Sequence, residues 1–261
     1  MADNDLLRQQ DLESNPTPRV PICLCLDVSG SMGRIVGGDV RNTGRREYHD
    51  GQWWNIVEGG ITALQEMIDG VNLFYDNLLE DDVARYSAEI CVVTFGGNAP
   101  ELIMDFANLD RQESERQQKL SALQAHGETP MGEAVNMALN CLDTRKNEYK
   151  SAGVDYFQPW LVLMTDGAPN GSNAELDRAI ARTNELANNR RLTIFPIGIG
   201  SEADMNCLAK FSPKRPPLRL KGMNFKGFFE WLSASVSRTS QSMPGDKIKL
   251  DTDGIRGWGE L

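Results

Sequence analysis

The sequence has little that would suit a nucleic acid or a membrane. Its 27 lysines and arginines are outnumbered by 37 aspartates and glutamates, a formal net charge of −10. Phosphate backbones are held by clustered basic side chains, so this balance argues against DNA or RNA as a ligand. It suits a metal cation or a basic partner surface. No apolar run approaches the ~20 residues that cross a bilayer. The opening stretch, MADNDLLRQQDLESNPTPR, is acidic and polar and lacks the apolar centre of a secretory signal. Cysteine is present without arrangement: Cys23, Cys25, Cys91, Cys141 and Cys207 make an odd count with no C-x-x-C pair. Cys23, Cys25 and Cys91 lie in apolar runs, so reduced core thiols of a cytoplasmic protein are expected, not a metal or redox set. Internal repeats and low-complexity tracts are also missing.

What is there is enough to fold. At 261 residues the chain can bury a core without disulfide staples, as one generous α/β domain or two small ones. VPICLCLDV (20–28), SAEICVVTFGG (87–97), QPWLVLMTDGAPN (158–170) and RLTIFPIGIG (191–200) contain near-continuous apolar runs of strand length. PELIMDFANL (100–109) and the proline-broken PPLRLKG (216–222) read as lesser strands. Between them lie helical patterns. Residues 53–81 place Ile56, Ile61, Leu64, Ile68, Val71, Phe74 and Leu78 at helical spacing. Residues 111–123 are polar and helical. A helix ending at Gly153 starts with Thr129 as its cap and Pro130 at its first position. Residues 172–190 are capped by Ser172, residues 202–210 form a short helix, and residues 224–242 turn the aromatic side of FKGFFEWL to the core. Residues 33–52 are polar and glycine-rich and read as a long loop. The expected organisation is a flexible leader at 1–18, a domain at 19–243 with an insertion near 33–54, and a tail at 244–261. Alternating strands and helices predict a mostly parallel sheet covered on both faces, with ligands at the carboxyl ends of its strands.

Those ends collect oxygen. Asp27, Ser29 and Ser31 follow the first strand, Thr129 sits in GETPMG before a helix, and Asp166 ends LVLMTDG. Two carboxylates and three hydroxyls, with no sulfur or imidazole, form a hard set that selects Mg²⁺ or Mn²⁺ over zinc. The D-x-S-x-S spacing puts three side chains on one side of a turn, with Gly30 letting the backbone curl beneath. Neutral hydroxyls would leave such an ion electrophilic enough to take an incoming carboxylate. Each element alone has a plainer reading: a turn after a strand, a helix cap, a D-G turn. His126 and Glu128 flank Thr129 and offer a general base to a metal-dependent hydrolase or phosphatase using the same rim. DTDG (251–254) hints at a calcium loop but lacks the further ligands.

DVSGSM, GETPMG and MTDGAPN, in this order, resemble the metal-ion-dependent adhesion site of von Willebrand factor type A (VWA) domains. With NPTPRVPICLCLDVSGSM, YFQPWLVLMTDGAPN and LKGMNFKGFFEWLSASVSRTSQSMPGD, the chain is most similar to the bacterial TerY-like group linked to tellurite resistance. The resemblance implies a Rossmann-like three-layer α/β/α domain without enzymatic activity. Ser29, Ser31 and Thr129 would bind Mg²⁺ (or Mn²⁺), Asp27 and Asp166 would act directly or through water, and a protein partner would supply an Asp or Glu. It further implies an adaptor of a bacterial stress-response or defence system, with a PP2C-type phosphatase and a serine/threonine-kinase-like protein as partners. GRIVGGDVRNTGRREYHDGQWW departs from the family pattern, where a short link is expected. Its arginines, Tyr48, Trp53 and Trp54 suggest either a partner-recognition loop at the rim or a solvated loop packed on the body.

Overall fold

The computed structural model describes residues 11–49, 52–246 and 254–260. Strand β1 (Val20–Asp27) is buried along its whole length. Its alternate residues feed different layers: Ile22, Leu24 and Leu26 join one apolar cluster, Cys23 and Cys25 the other. That is what a strand covered on both faces requires. The hairpin β2 (Ile35–His49) and β3 (Gln52–Thr62) stands apart as its own two-stranded sheet. The main sheet continues with β4 (Ala88–Gly96), β5 (Ala99–Met104), β6 (Trp160–Thr165), β7 (Thr193–Ile199), β8 (Leu218–Leu220) and β9 (Gly259–Glu260). Its strand order is β5-β4-β1-β6-β7-β8-β9. The five inner strands run parallel, and β5 and β9 close the edges antiparallel.

Helices α1 (Ala63–Glu80), α2 (Ala84–Ser87), α3 (Leu109–Ser121), α4 (Met131–Ala152), α5 (Asn173–Asn188), α6 (Met205–Phe211) and α7 (Phe225–Ser240) complete the three layers. Met67 and Phe74 of α1, Leu109 of α3 and Phe228 of α7 cover one face of the sheet. Leu139 of α4, Ala179 of α5 and Leu208 of α6 cover the other. The mostly parallel α/β/α architecture expected from the strand–helix alternation is what the chain adopts. The five cysteines form no disulfide; burial raises the thiols of Cys23, Cys25 and Cys207 above their ordinary value and keeps them protonated.

Residues 33–62 depart from expectation. The long loop is a hairpin, and the helix expected from residue 53 starts at Ala63. Ile56 and Ile61 sit at helical spacing by coincidence. Gly59 takes φ +77, where a Cβ would meet the Asp39 carbonyl at 2.6 Å, and the chain leaves the strand only at Thr62. The Thr62 hydroxyl accepts the Gln65 N–H at 3.1 Å and caps α1. Helix α4 also starts later than expected. Pro130 occupies the cap position, helix begins at Met131, and the Thr129 hydroxyl makes no capping bond. Gly153 closes α4 at φ +67, and Ser172 caps α5, both as expected.

Part of the leader lies among the described residues. Residues 11–14 form one helical turn, and Leu12 is buried against Tyr149 and Val154. At the other end Trp258 packs edge-on to Phe228 at 5.0 Å and beside Trp231 at 5.4 Å. The first three residues of DTDG lie outside the described residues.

Candidate functional site

The carboxyl ends of β1 and β6 lie side by side, because these strands pair in register from Ile22–Trp160 to Leu26–Met164. Asp27 closes β1 and is fully buried. Its Oδ1 accepts the Ser29 N–H at 2.7 Å, and its Oδ2 accepts the Thr165 hydroxyl at 2.6 Å. Burial pushes the Asp27 carboxyl up to about 6, against the pull of its bonds to Ser29 and Thr165 and with the push of the nearby Asp166 charge.

The Ser29 and Ser31 hydroxyls stand 3.2 Å apart, and Ser31 donates to Asp166 Oδ1 at 2.6 Å. Four of the five expected residues thus form one hydrogen-bonded cluster. Ser29 and both carboxylates are buried, while Ser31 faces solvent. The other oxygen of Asp166, Oδ2, is buried without a hydrogen-bond partner. The nearest cation is Arg34, whose guanidinium nitrogen lies 4.0 Å away and is itself buried and unbonded.

Thr129 is tied through its backbone to Asn170 and not to these four side chains. The Asn170 side-chain oxygen accepts the Thr129 N–H at 2.5 Å, and the Asn170 N–H returns to the Thr129 carbonyl at 3.2 Å. The loop before α4 is also stitched to the end of β1 and to the turn after β4: His126 N–H bonds the Val28 carbonyl, Gly97 N–H the His126 carbonyl, and Gly30 N–H the Gly127 carbonyl. Gly127 is the glycine this packing requires. It sits at φ +63, where a Cβ would lie 2.4 Å from the Gly97 Cα. Gly30, expected to fill that part, would accommodate a Cβ with ordinary contacts.

Sequence reasoning missed three residues here. Thr165 and Asn170 lie inside the quoted stretch MTDGAPN, and the signal for them was a hydroxyl and an amide in a strand-end turn. Arg34 is one of the arginines of the inserted stretch, and only the fold brings it to Asp166. The two candidate bases are turned to other tasks. The His126 ring nitrogen Nδ1 lies 2.9 Å from the Gln124 carbonyl, its Nε2 lies against Gly97, and Glu128 accepts from the Asn170 side chain. Among the described residues no three His, Cys, Asp or Glu side chains gather in metal-binding array. The cluster therefore depends on its hydroxyls as much as on its two carboxylates.

A family model for the von Willebrand factor type A domain matches residues 54–226. The match begins inside β3, so β1 and the Asp27–Ser31 turn lie ahead of it, on the far side of the hairpin. A von Willebrand factor type A protein from Catenulispora acidiphila aligns with a TM-score of 0.57 and 18% identity, over 84% of this chain and 43% of that one. Manganese-loaded TRAP protein from Plasmodium vivax gives 0.50 at 21% identity, over 77% and 65%. Proximal thread matrix protein 1 of the mussel byssus, with a zinc-occupied MIDAS motif, gives 0.51 at 17% identity, over 85% and 49%. The chain spans less than two thirds of the length of each. No curated protein matches it. Among the described residues no helix is long and apolar enough to cross a membrane.

Proposed function

We propose a metal-dependent protein-binding role, from the premise that the chain belongs to the von Willebrand factor type A domain family. The observation that carries the reading is Asp166 Oδ2: a buried carboxylate oxygen without a hydrogen-bond partner, beside two hydroxyls and a second buried carboxylate. Such an atom is costly unless a cation completes it. The donors fit a hard divalent ion, Mg²⁺ or Mn²⁺, better than zinc. Ser29, Ser31 and Thr129 hold it through hydroxyls, with Asp27 and Asp166 bound directly or through water. Two relatives of the same fold carry manganese and zinc by their descriptions. When bound, the ion supplies a Lewis-acidic position for a partner's Asp or Glu. The surrounding chain orients that carboxylate, and the hairpin sets which partner fits. Its exposed Tyr48 and Trp53 pair across the far end of the hairpin, pack ring to ring at 5.3 Å, and present an aromatic anchor there.

We read the chain as a non-enzymatic binding module, with His126 set at the Gln124 carbonyl and Glu128 at the Asn170 side chain. A finer reading rests on the sequence resemblance of the longer stretches alone. In it the chain is a cytoplasmic adaptor of TerY-like kind within a bacterial stress or tellurite-resistance system, with a PP2C-type phosphatase and a kinase-like protein as partners. Affinity capture from the native host tests the whole proposal. Wild type should retain its partner in Mg²⁺ and release it in EDTA, and Asp27→Ala should retain nothing in either. Equal capture in all these arms would sink it.

Arg34 supplies a second test. A cation 4.0 Å from Asp166 opposes a divalent ion there. Arg34→Met should tighten Mn²⁺ binding by about three- to tenfold in calorimetric titration, since the charge is partly solvent-screened. Unchanged or weaker binding would show that Arg34 does not act on the site.

A further inference from the structure

The opposite end of the sheet carries a cleft of about 1030 Å³, where β6 and β7 begin. Its floor is apolar, with Phe157, Pro159 and Trp160 all buried. Around that floor stand Lys146, Lys150, Arg190, Arg191 and Arg215, against one carboxylate, Asp246. This local excess of cations runs against a chain whose acids outnumber its bases by 37 to 27. Lys146 has a counter-ion, Asp143 at 2.6 Å. Among the described residues Lys150, Arg190, Arg191 and Arg215 make no ion pair. Helix ends account for part of the charge: Lys150 lies in the last turn of α4, and Arg190 and Arg191 follow α5, where carbonyl dipoles favour cations. They do not account for Arg215. Its guanidinium lies over the Phe195 ring at 5.2 Å, and crowding holds it below its ordinary value with no carboxylate to offset the loss of hydration.

We propose that this cleft is a second protein-binding site, which takes an acidic peptide segment carrying an apolar anchor. Guanidinium forks pair with carboxylates in a fixed geometry that ammonium groups do not impose. The apolar floor gives a leucine or phenylalanine of the same segment a place to desolvate. A long polyanion would meet the repulsion of the whole chain at −10, whereas a short acidic segment meets only the local field. The site is independent of the metal reading and faces away from it.

The probe is a fluorescein-labelled hexapeptide, four glutamates flanking a Leu-Phe centre, followed by anisotropy at low salt. Saturable binding that weakens as salt rises is expected. Arg190→Glu with Arg215→Glu should weaken it by about tenfold or more. Arg178→Glu with Lys226→Glu makes the same change of net charge away from the cleft and should leave affinity within about twofold. Melting curves check that each variant folds. Arg190→Gln with Arg215→Gln serves as a milder pair, expected to give an intermediate loss. Asp27→Ala should bind the peptide as wild type does, which separates this site from the rim. Three results would overturn the proposal: no saturable binding, equal weakening by both charge-reversal pairs, or tighter binding of a single-stranded oligonucleotide than of the peptide.

Discussion

Glu89→Ala should lower the unfolding free energy by about 3–5 kcal/mol, read from the urea midpoint. Glu89 sits at the start of β4 with a side chain only 3% exposed. Its two oxygens take Arg145 through Nε at 2.6 Å and NH2 at 2.9 Å, Arg19 Nε at 3.2 Å, and the Tyr149 hydroxyl at 2.6 Å. Burial, then the Glu89 charge, push the Tyr149 phenol well above its ordinary value, so it stays protonated and donates. Removing Glu89 leaves the buried Arg19 guanidinium without a carboxylate and Arg145 with only the partly exposed Glu148. Replacing Glu89 and Arg145 together with methionine should cost less than the sum of the single changes, because the stranded charge goes with its partner. Arg19 also donates to the Asn15 carbonyl at 2.8 Å. Amides of residues 11–18 should therefore exchange faster in Glu89→Ala than in wild type. A loss below about 1 kcal/mol would mean that water already serves these groups.

Asp27→Asn should do two opposite things. Divalent-ion binding should vanish, and the metal-free protein should melt higher. The folded carboxyl sits near 6 where the unfolded one sits at 3.8, raised first by burial. At ~1.36 kcal/mol per unit this costs up to about 3 kcal/mol at neutral pH. Between pH 3.8 and about 6 the folded state holds the proton that the unfolded state has lost. Wild-type stability thus falls as pH rises through that window, while the asparagine variant has nothing to titrate. The gap between the two should be absent near pH 4 and complete above pH 6–7. The residual cost is an amide that turns one N–H toward Thr165, so about 1–3 kcal/mol of gain is expected in denaturant titrations with EDTA. A variant less stable than wild type at pH 7.5 would show that the carboxylate is not strained in the fold.

The architecture was legible because burial writes itself into strands. VPICLCLD, AEICVVTF and WLVLMT could not face water on either side, and their order left little choice but a parallel sheet. Four residues of the rim, Asp27, Ser29, Ser31 and Asp166, were legible for the same reason, since a polar cluster at the tip of a buried strand has few other uses. The hairpin was not. Its strands are exposed on both faces over much of their length, so no alternation marks them, and its glycines and arginines imitate a loop. Ile56 and Ile61 happened to continue the spacing of α1. Arg34, Asn170 and Thr165 act across loops that only the folded sheet brings together. Glu89 carries a signal of its own: a carboxylate inside an apolar run must have a buried cation waiting for it.

Helix α4 has a consequence for geometry in the cell. Its 22 residues start at the loop of Thr129 and end among the lysines of the basic cleft. At 1.5 Å per residue it is a strut of about 33 Å. Two ligands, one at each end, would never touch, so neither could displace the other by collision. A single partner reaching both ends would need at least about ten residues of extended tether, and a tether matched to that span would raise its effective concentration at the second site. The domain would then measure the spacing between two acidic features on whatever it holds.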